Sequence, residues 1–171
     1  MVNKELKNAV IRKMKINIDT ITRASKELIG NIIRTPTIRS QHLSSEINGE
    51  VFLKLENLQY TSSFKVRGAY TSITRLKEEQ KKMGVIAMSA GNHAQAVAWW
   101  AKKERVNATI VMPEHAPLFK VMKTKSLGAD VILRGRTLNE SQTYVSELVN
   151  DKKLTLIPVS YTHLRAHETV L

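Results

Sequence analysis

From Glu50 onward, short Val- and Ile-rich runs alternate with helical stretches, and this alternation constrains the fold more than any other feature. Glu50–Leu55 reads as a strand and Ser63–Leu76 as a helix. Gly84–Met88 is a second strand, followed by a helix from about His93 to Glu104. Ala108–Met112 is a third strand, closed by Pro113, and Leu118–Leu127 reads as a helix ended by Gly128 just past its last turn. Asp130–Leu133, a helix over Leu138–Val149, and a fifth strand beginning at Leu154–Ile157 complete the series. Strands of this kind, each followed by a helix, form parallel sheets, because every parallel crossover lays a helix over one face. The expected fold class is α/β, a parallel sheet with helices on both faces.

Ahead of that series the pattern is different. Met1–Ile18 is an irregular basic lead-in, with Leu6, Val10, Ile11 and Met14 at roughly helical spacing. Asp19–Thr20 reads as the cap of a helix through Ile33, with Ile21, Ala24, Leu28 and Ile32 on one face. Pro36 ends it and leaves Thr37–Arg39 extended. His42–Ile47 reads as a short helix stopped at Asn48-Gly49.

Two stretches carry chemistry. In Thr61-Ser62-Ser63-Phe64-Lys65-Val66-Arg67-Gly68-Ala69, the serines are good N-caps, which puts Lys65 in the first turn of the following helix. The positive end of a helix disfavours a cation there, so the amine's pKa falls. That suits a lysine which must be neutral to form a Schiff base. Taken alone, the same lysine also fits an ordinary surface position on a capped helix. The second stretch, Ser89-Ala90-Gly91-Asn92-His93-Ala94-Gln95, joins a strand end to a helix start. Backbone amides at such a start form an anion site that an amino-acid carboxylate fits. By itself it also reads as a plain turn with local caps.

Together, in this order, the two stretches resemble the cofactor-lysine and carboxylate motifs of the threonine and serine dehydratases. These are fold-type-II pyridoxal-phosphate enzymes, with a fold like that of the tryptophan synthase β subunit. The resemblance runs from about Asp19 to Pro158 and covers the front half of a family member. It implies that Lys65 carries pyridoxal 5′-phosphate, that Phe64 packs beside it, and that Asn92 bonds the cofactor's phenolic oxygen. It also implies that Ser89, Ala90, Gly91, Asn92 and His93 hold the substrate carboxylate. The implied reaction is deamination of L-threonine to 2-oxobutanoate and of L-serine to pyruvate, each with ammonia, with the full-length protein a homo-oligomer. Residues 50–158 would form the small domain, and residues 1–49 would pack on a large domain. The glycine-rich phosphate loop and the partner of the pyridine nitrogen lie beyond Pro158 in the family. The chain alone is therefore expected to bind the cofactor poorly and turn over nothing measurable.

Departures from the motif refine the expectation. Ser62 stands where the family usually has glycine. Ala90 stands where related serine racemases carry an acid/base serine, which favours a lyase over a racemase. Residues 159–171 break the strand–helix pattern. They resemble a translated reading frame of a sequencing-library adapter, and are expected to be foreign to the protein. His163 and His167, four apart, lie in that tail and have no third ligand, so no metal site is expected.

Composition limits the rival classes. The net charge of +12 raises nucleic-acid binding, but the basic residues do not interleave with aromatics, which are only 5% of the chain. No nucleic-acid partner is expected, although a non-catalytic basic binding module remains the rival from another class. No apolar run reaches the length of a membrane span, and there is no cysteine. A cytoplasmic protein acting on a small amino acid is the expectation.

Overall fold

The computed structural model describes residues 17–159. The His163/His167 pair and nearly all of both the proposed basic lead-in and the proposed foreign tail lie outside them; Asn17 and Ile18, assigned to the lead-in, instead open the first helix.

Helix α1 (Ile18–Leu28) starts at Asn17, whose side chain accepts from the Thr20 amide at 2.9 Å while Thr20 Oγ1 accepts from the Asn17 amide. The cap is thus Asn17, two residues before the predicted Asp19, and the helix ends at Leu28, short of Ile33. Gly30 has φ +78°, a left-handed conformation that ends the rise. Strand β1 (Thr37–Arg39) is followed by α2 (Gln41–Glu46), capped by Ser40, and then β2 (Phe52–Lys54). β1 and β2 pair antiparallel, Thr37 opposite Lys54 and Arg39 opposite Phe52. The first strand of the predicted alternation therefore belongs to a separate two-stranded sheet, not to the parallel one.

The parallel sheet is built from α3 (Lys65–Thr74), α4 (Glu78–Met83), β3 (Val85–Met88), α5 (Asn92–Lys103), β4 (Ala108–Met112), α6 (Leu118–Ser126), β5 (Asp130–Leu133), α7 (Leu138–Lys152) and β6 (Thr155–Leu156). Its strand order is β5-β4-β3-β6, all parallel, with Val85 opposite Ala108 on one side and Thr155 on the other. Successive strand residues point to opposite faces. Val85, Ala87, Ala108, Ile110 and Met112 accordingly pack with Val66, Ala69 and Ile73 of α3, with α5, and with Val121 of α6. Ile86 and Val111 face the other way and meet Val145 and Leu148 of α7. Helices therefore cover both faces, as the alternation implied.

α1 lies on α3, with Ala24 and Leu28 buried, Glu27 paired to Arg75 at 2.7 Å and Asn31 donating to Tyr70 Oη at 3.0 Å. The described part of the region ahead of residue 50 is thus tied to the sheet-bearing unit. Among the described residues no helix is long and apolar enough to cross a membrane, and no group of three or more His, Asp or Glu is placed to hold a metal.

Candidate functional site

The strand order places a crevice. The chain leaves β3 toward β4 and β5, then returns as β6 on β3's other side. In open parallel sheets, ligands bind outside the carboxyl ends of strands where the order reverses in this way. The carboxyl end of β3 leads directly into Ser89-Ala90-Gly91 and the start of α5.

Gly91 is the N-cap of α5 and supplies no side-chain cap; its own N–H donates to Ser89 Oγ at 3.1 Å. A methyl group added at Gly91 would meet only Ser89 Oγ, at 4.0 Å, so the backbone here is open to a close approach. The helix dipole adds partial positive charge at that end. Asn92 is exposed at the first position of α5, and Ala90 is half-buried against the core. His93 is buried, its Nε2 2.9 Å from the carbonyl oxygen of Ile157. A carbonyl only accepts, so Nε2 carries the proton, and the imidazole fastens the end of β6 to the first turn of α5.

Lys65 is the first residue of α3, where the sequence argument placed it in the opening turn. The cap is different from the one expected. Phe64 occupies the N-cap, with no side-chain capping bond, and neither Ser62 nor Ser63 caps the helix. Ser62 instead closes a turn, its N–H donating to the Gln59 carbonyl at 2.7 Å, and takes φ +55°. Lys65 is 8% exposed, with Nζ 5.1 Å from the centroid of the Phe64 ring. Burial lowers its pKa from the ordinary 10.5. The direction matches the sequence argument, and the cause is loss of water around the ammonium.

The structure brings Phe64 to Lys65 and His93 to β6. The lysine and the Ser89–His93 loop are linked through packing of α3 on α5. Trp100 of α5 donates from Nε1 to the carbonyl of Val66 at 2.8 Å. The Tyr70 ring lies edge-on to Trp100, with centroids 4.7 Å apart, and Tyr60 stacks on Trp99 at 4.6 Å. His42 and His115 are exposed.

Sequence reasoning passed over several polar groups near these two stretches. Thr61 Oγ1, Ser63 Oγ and Gln95 Oε1 are buried without a hydrogen-bond partner. Each such atom costs about 1–3 kcal/mol unless something meets it. All three belong to the quoted motifs, so their positions were legible and their burial was not. Arg67, also buried, holds Glu56 in a two-bond pair. A cation in the first turn of a helix was the available sign that a carboxylate must lie nearby.

A family model described as "Pyridoxal-phosphate dependent enzyme" matches residues 28–170. The chain is 49% identical over 143 residues to the L-threonine dehydratase catabolic TdcB of Staphylococcus aureus (strain USA300), which covers 83% of this chain and 41% of that protein. Among solved structures, the processed form of threonine deaminase isoform 2 from Solanum lycopersicum is similar at TM-score 0.77 and 30% identity, covering 92% of this chain and 46% of that one. Serine racemase from Dictyostelium discoideum is similar at TM-score 0.81 and 30% identity, covering 91% and 52% respectively. The chain thus spans about two fifths of the length of the curated relatives it matches. A match over most of its residues, on a parallel sheet of the same architecture, shows that the chain belongs to the pyridoxal-phosphate dependent enzymes of fold type II.

Proposed function

We propose that this chain provides the lysine-bearing, carboxylate-binding part of an L-threonine ammonia-lyase that also accepts L-serine. The observation that carries the reading is the burial of Lys65 at the start of α3, which disfavours its charged form. Thr61 Oγ1, Ser63 Oγ and Gln95 Oε1, all within the two motifs, are buried without a protein hydrogen-bond partner, which supports a polar ligand beside them. Lys65 would hold the aldehyde carbon of pyridoxal phosphate, Phe64 would pack beside it, and Asn92 would bond its phenolic oxygen. When bound, that group supplies a sink for the electrons left on the substrate's Cα.

The remaining work falls to the chain. The Ser89–His93 loop binds the substrate carboxylate at the positive end of α5 and so orients the Cα–H bond. Lys65 Nζ, whose charged form burial disfavours, takes the Cα proton. Loss of the β-hydroxyl as water leaves an enamine, whose hydrolysis gives 2-oxobutanoate and ammonia from threonine. The likeness to a serine racemase favours a second reading, racemisation of serine. The Ala90 methyl offers no proton at the position where the resemblance places the racemase serine, which speaks against it.

The test is a chimaera in which residues 28–158 replace the matching segment of the Staphylococcus aureus dehydratase. Ammonia and 2-oxobutanoate are expected from L-threonine, and both should vanish with Lys65→Ala. A chimaera that folds and takes up pyridoxal phosphate but leaves L-threonine intact would overturn the reading. Release of D-serine from L-serine in place of pyruvate would favour the racemase.

A further inference from the structure

Lys65 and Arg67 are both cations in the first turn of α3, a helix start with no side-chain cap. Each is disfavoured there by the helix dipole. Arg67 is nevertheless only 6% exposed, and Glu56 meets it with both carboxylate oxygens: Nε donates to Oε2 at 2.9 Å and Nη2 to Oε1 at 2.8 Å. Thr35 Oγ1 donates to Glu56 Oε1 at 2.6 Å, and Lys54 Nζ donates to the Thr35 carbonyl at 2.6 Å. Glu56 opens the 3-10 turn Glu56–Leu58 that follows β2. One buried pair therefore joins the segment before β1, the end of β2 and the first turn of the lysine helix.

The geometry of an α-helix decides what this clamp does. Residues two apart are about 200° apart around the axis, at 3.6 residues per turn. Pulling Arg67 onto Glu56 thus fixes the rotation of the first turn with Lys65 on the other side. A two-bond guanidinium–carboxylate pair is directional, unlike a contact between point charges. Buried pairs of this kind add little net stability over apolar replacements, and specifying one geometry is their better-attested use.

We propose that Glu56, acting through Arg67 and steadied by Thr35, is a positioning residue for the Lys65 amine. The inference rests on the reading of Lys65 as the lysine that meets the cofactor's aldehyde. Glu56 touches no reacting atom. It holds the turn from which the reacting atom projects.

The test takes the Staphylococcus aureus dehydratase chimaera as wild type, because it supplies the phosphate loop that the family carries beyond Pro158, and it needs no turnover. Pyridoxal phosphate is added, the amines it has reached are trapped with borohydride, and labelling at each lysine is read by peptide mass spectrometry. Exposed Lys82 is the internal reference. Wild type should label Lys65 in preference to Lys82. Glu56→Gln should reduce that ratio about tenfold, the scale on which misplacing a reacting group acts. Glu56→Asp, which keeps the carboxylate on a shorter arm, should fall between the two. All labelling is done well below each variant's melting temperature, so a loss of stability alone leaves the ratio unmoved. Should Glu56→Gln fail to fold, Thr35→Val removes only the hydroxyl bonded to Glu56 and should lower the ratio about threefold. Preference for Lys65 in the wild type that survives these substitutions overturns the positioning role alone. No preference in the wild type overturns the lysine's assignment and this inference with it.

Discussion

A buried lysine and a strained serine three residues before it set opposite demands on one turn. Lys65 has a folded pKa below its unfolded 10.5, because burial strips water from the ammonium. The unfolded chain then binds that proton more readily than the native one. The resulting penalty on folding is complete below the folded pKa and fades as pH rises from there toward 10.5. Lys65→Met should therefore raise stability at neutral pH, with a gain that shrinks as pH approaches the unfolded value. Urea unfolding at a series of pH values measures this, and a gain that does not change with pH would contradict it. Ser62 is the second liability: φ +55° in a non-glycine residue costs about 1 kcal/mol. Its side chain is exposed, so Ser62→Gly removes strain without leaving a cavity. The variant should gain about 0.5–1 kcal/mol in the same unfolding experiment, and a loss would show that the Ser62 hydroxyl holds the turn.

Among the elements, α7 is the helix that covers the second face of the sheet, and its start depends on one glycine. Thr137 Oγ1 accepts from the Glu140 amide at 3.2 Å, and Glu140 Oε2 accepts from the Arg136 amide at 2.8 Å. Gly135, at φ +88°, brings its backbone so close that an added Cβ would lie 2.6 Å from the Ser141 nitrogen. Gly135→Ala should cost about 2 kcal/mol. Gly49→Ala, whose Cβ would meet only Ile47 at 3.6 Å, should cost far less. Equal losses in urea unfolding would mean that the contact at Ser141 is relieved cheaply. The elements most legible in the sequence were those whose own residues set the pattern. Val85–Met88 is apolar on both sides, and Ala108–Met112 nearly so with Thr109 the one polar residue, because both faces are covered, and their runs stood out. α4 did not stand out: Glu78-Glu79-Gln80-Lys81-Lys82-Met83 has no buried face. It is supported by acids in its first turn, bases in its last, and the Gln80 side chain accepting from the Lys77 amide. β2 was legible as a strand but not in its pairing, since nothing local in Phe52–Lys54 says that Thr37–Arg39 lies beside it. In the site, Lys65 and the Ser89–His93 loop were legible as motifs. The Glu56–Arg67 pair was not, because eleven residues and a turn separate groups that only the fold brings together.

At the scale of the whole molecule, exposed apolar area and net charge work against each other. Leu118, Phe119 and Met122 on α6 are 71%, 67% and 62% exposed, and they stand at one-, three- and four-residue spacings that place them on adjoining parts of the helix surface. Apolar groups clustered in this way favour association once molecules can approach. The chain carries a formal charge of +12, so like molecules repel at low ionic strength. Salt shortens the range of that repulsion, from about 30 Å at 0.01 M to about 8 Å at 0.15 M, while leaving the apolar attraction intact. The chain should therefore remain monomeric in dilute buffer and self-associate as salt is raised. Light scattering across a salt series at fixed protein concentration measures this. Phe119→Lys should remove much of the association, because it deletes apolar area and adds charge at the same point. If the scattering mass falls with added salt, attraction between charged patches is holding the molecules together, and the apolar face of α6 is not the cause.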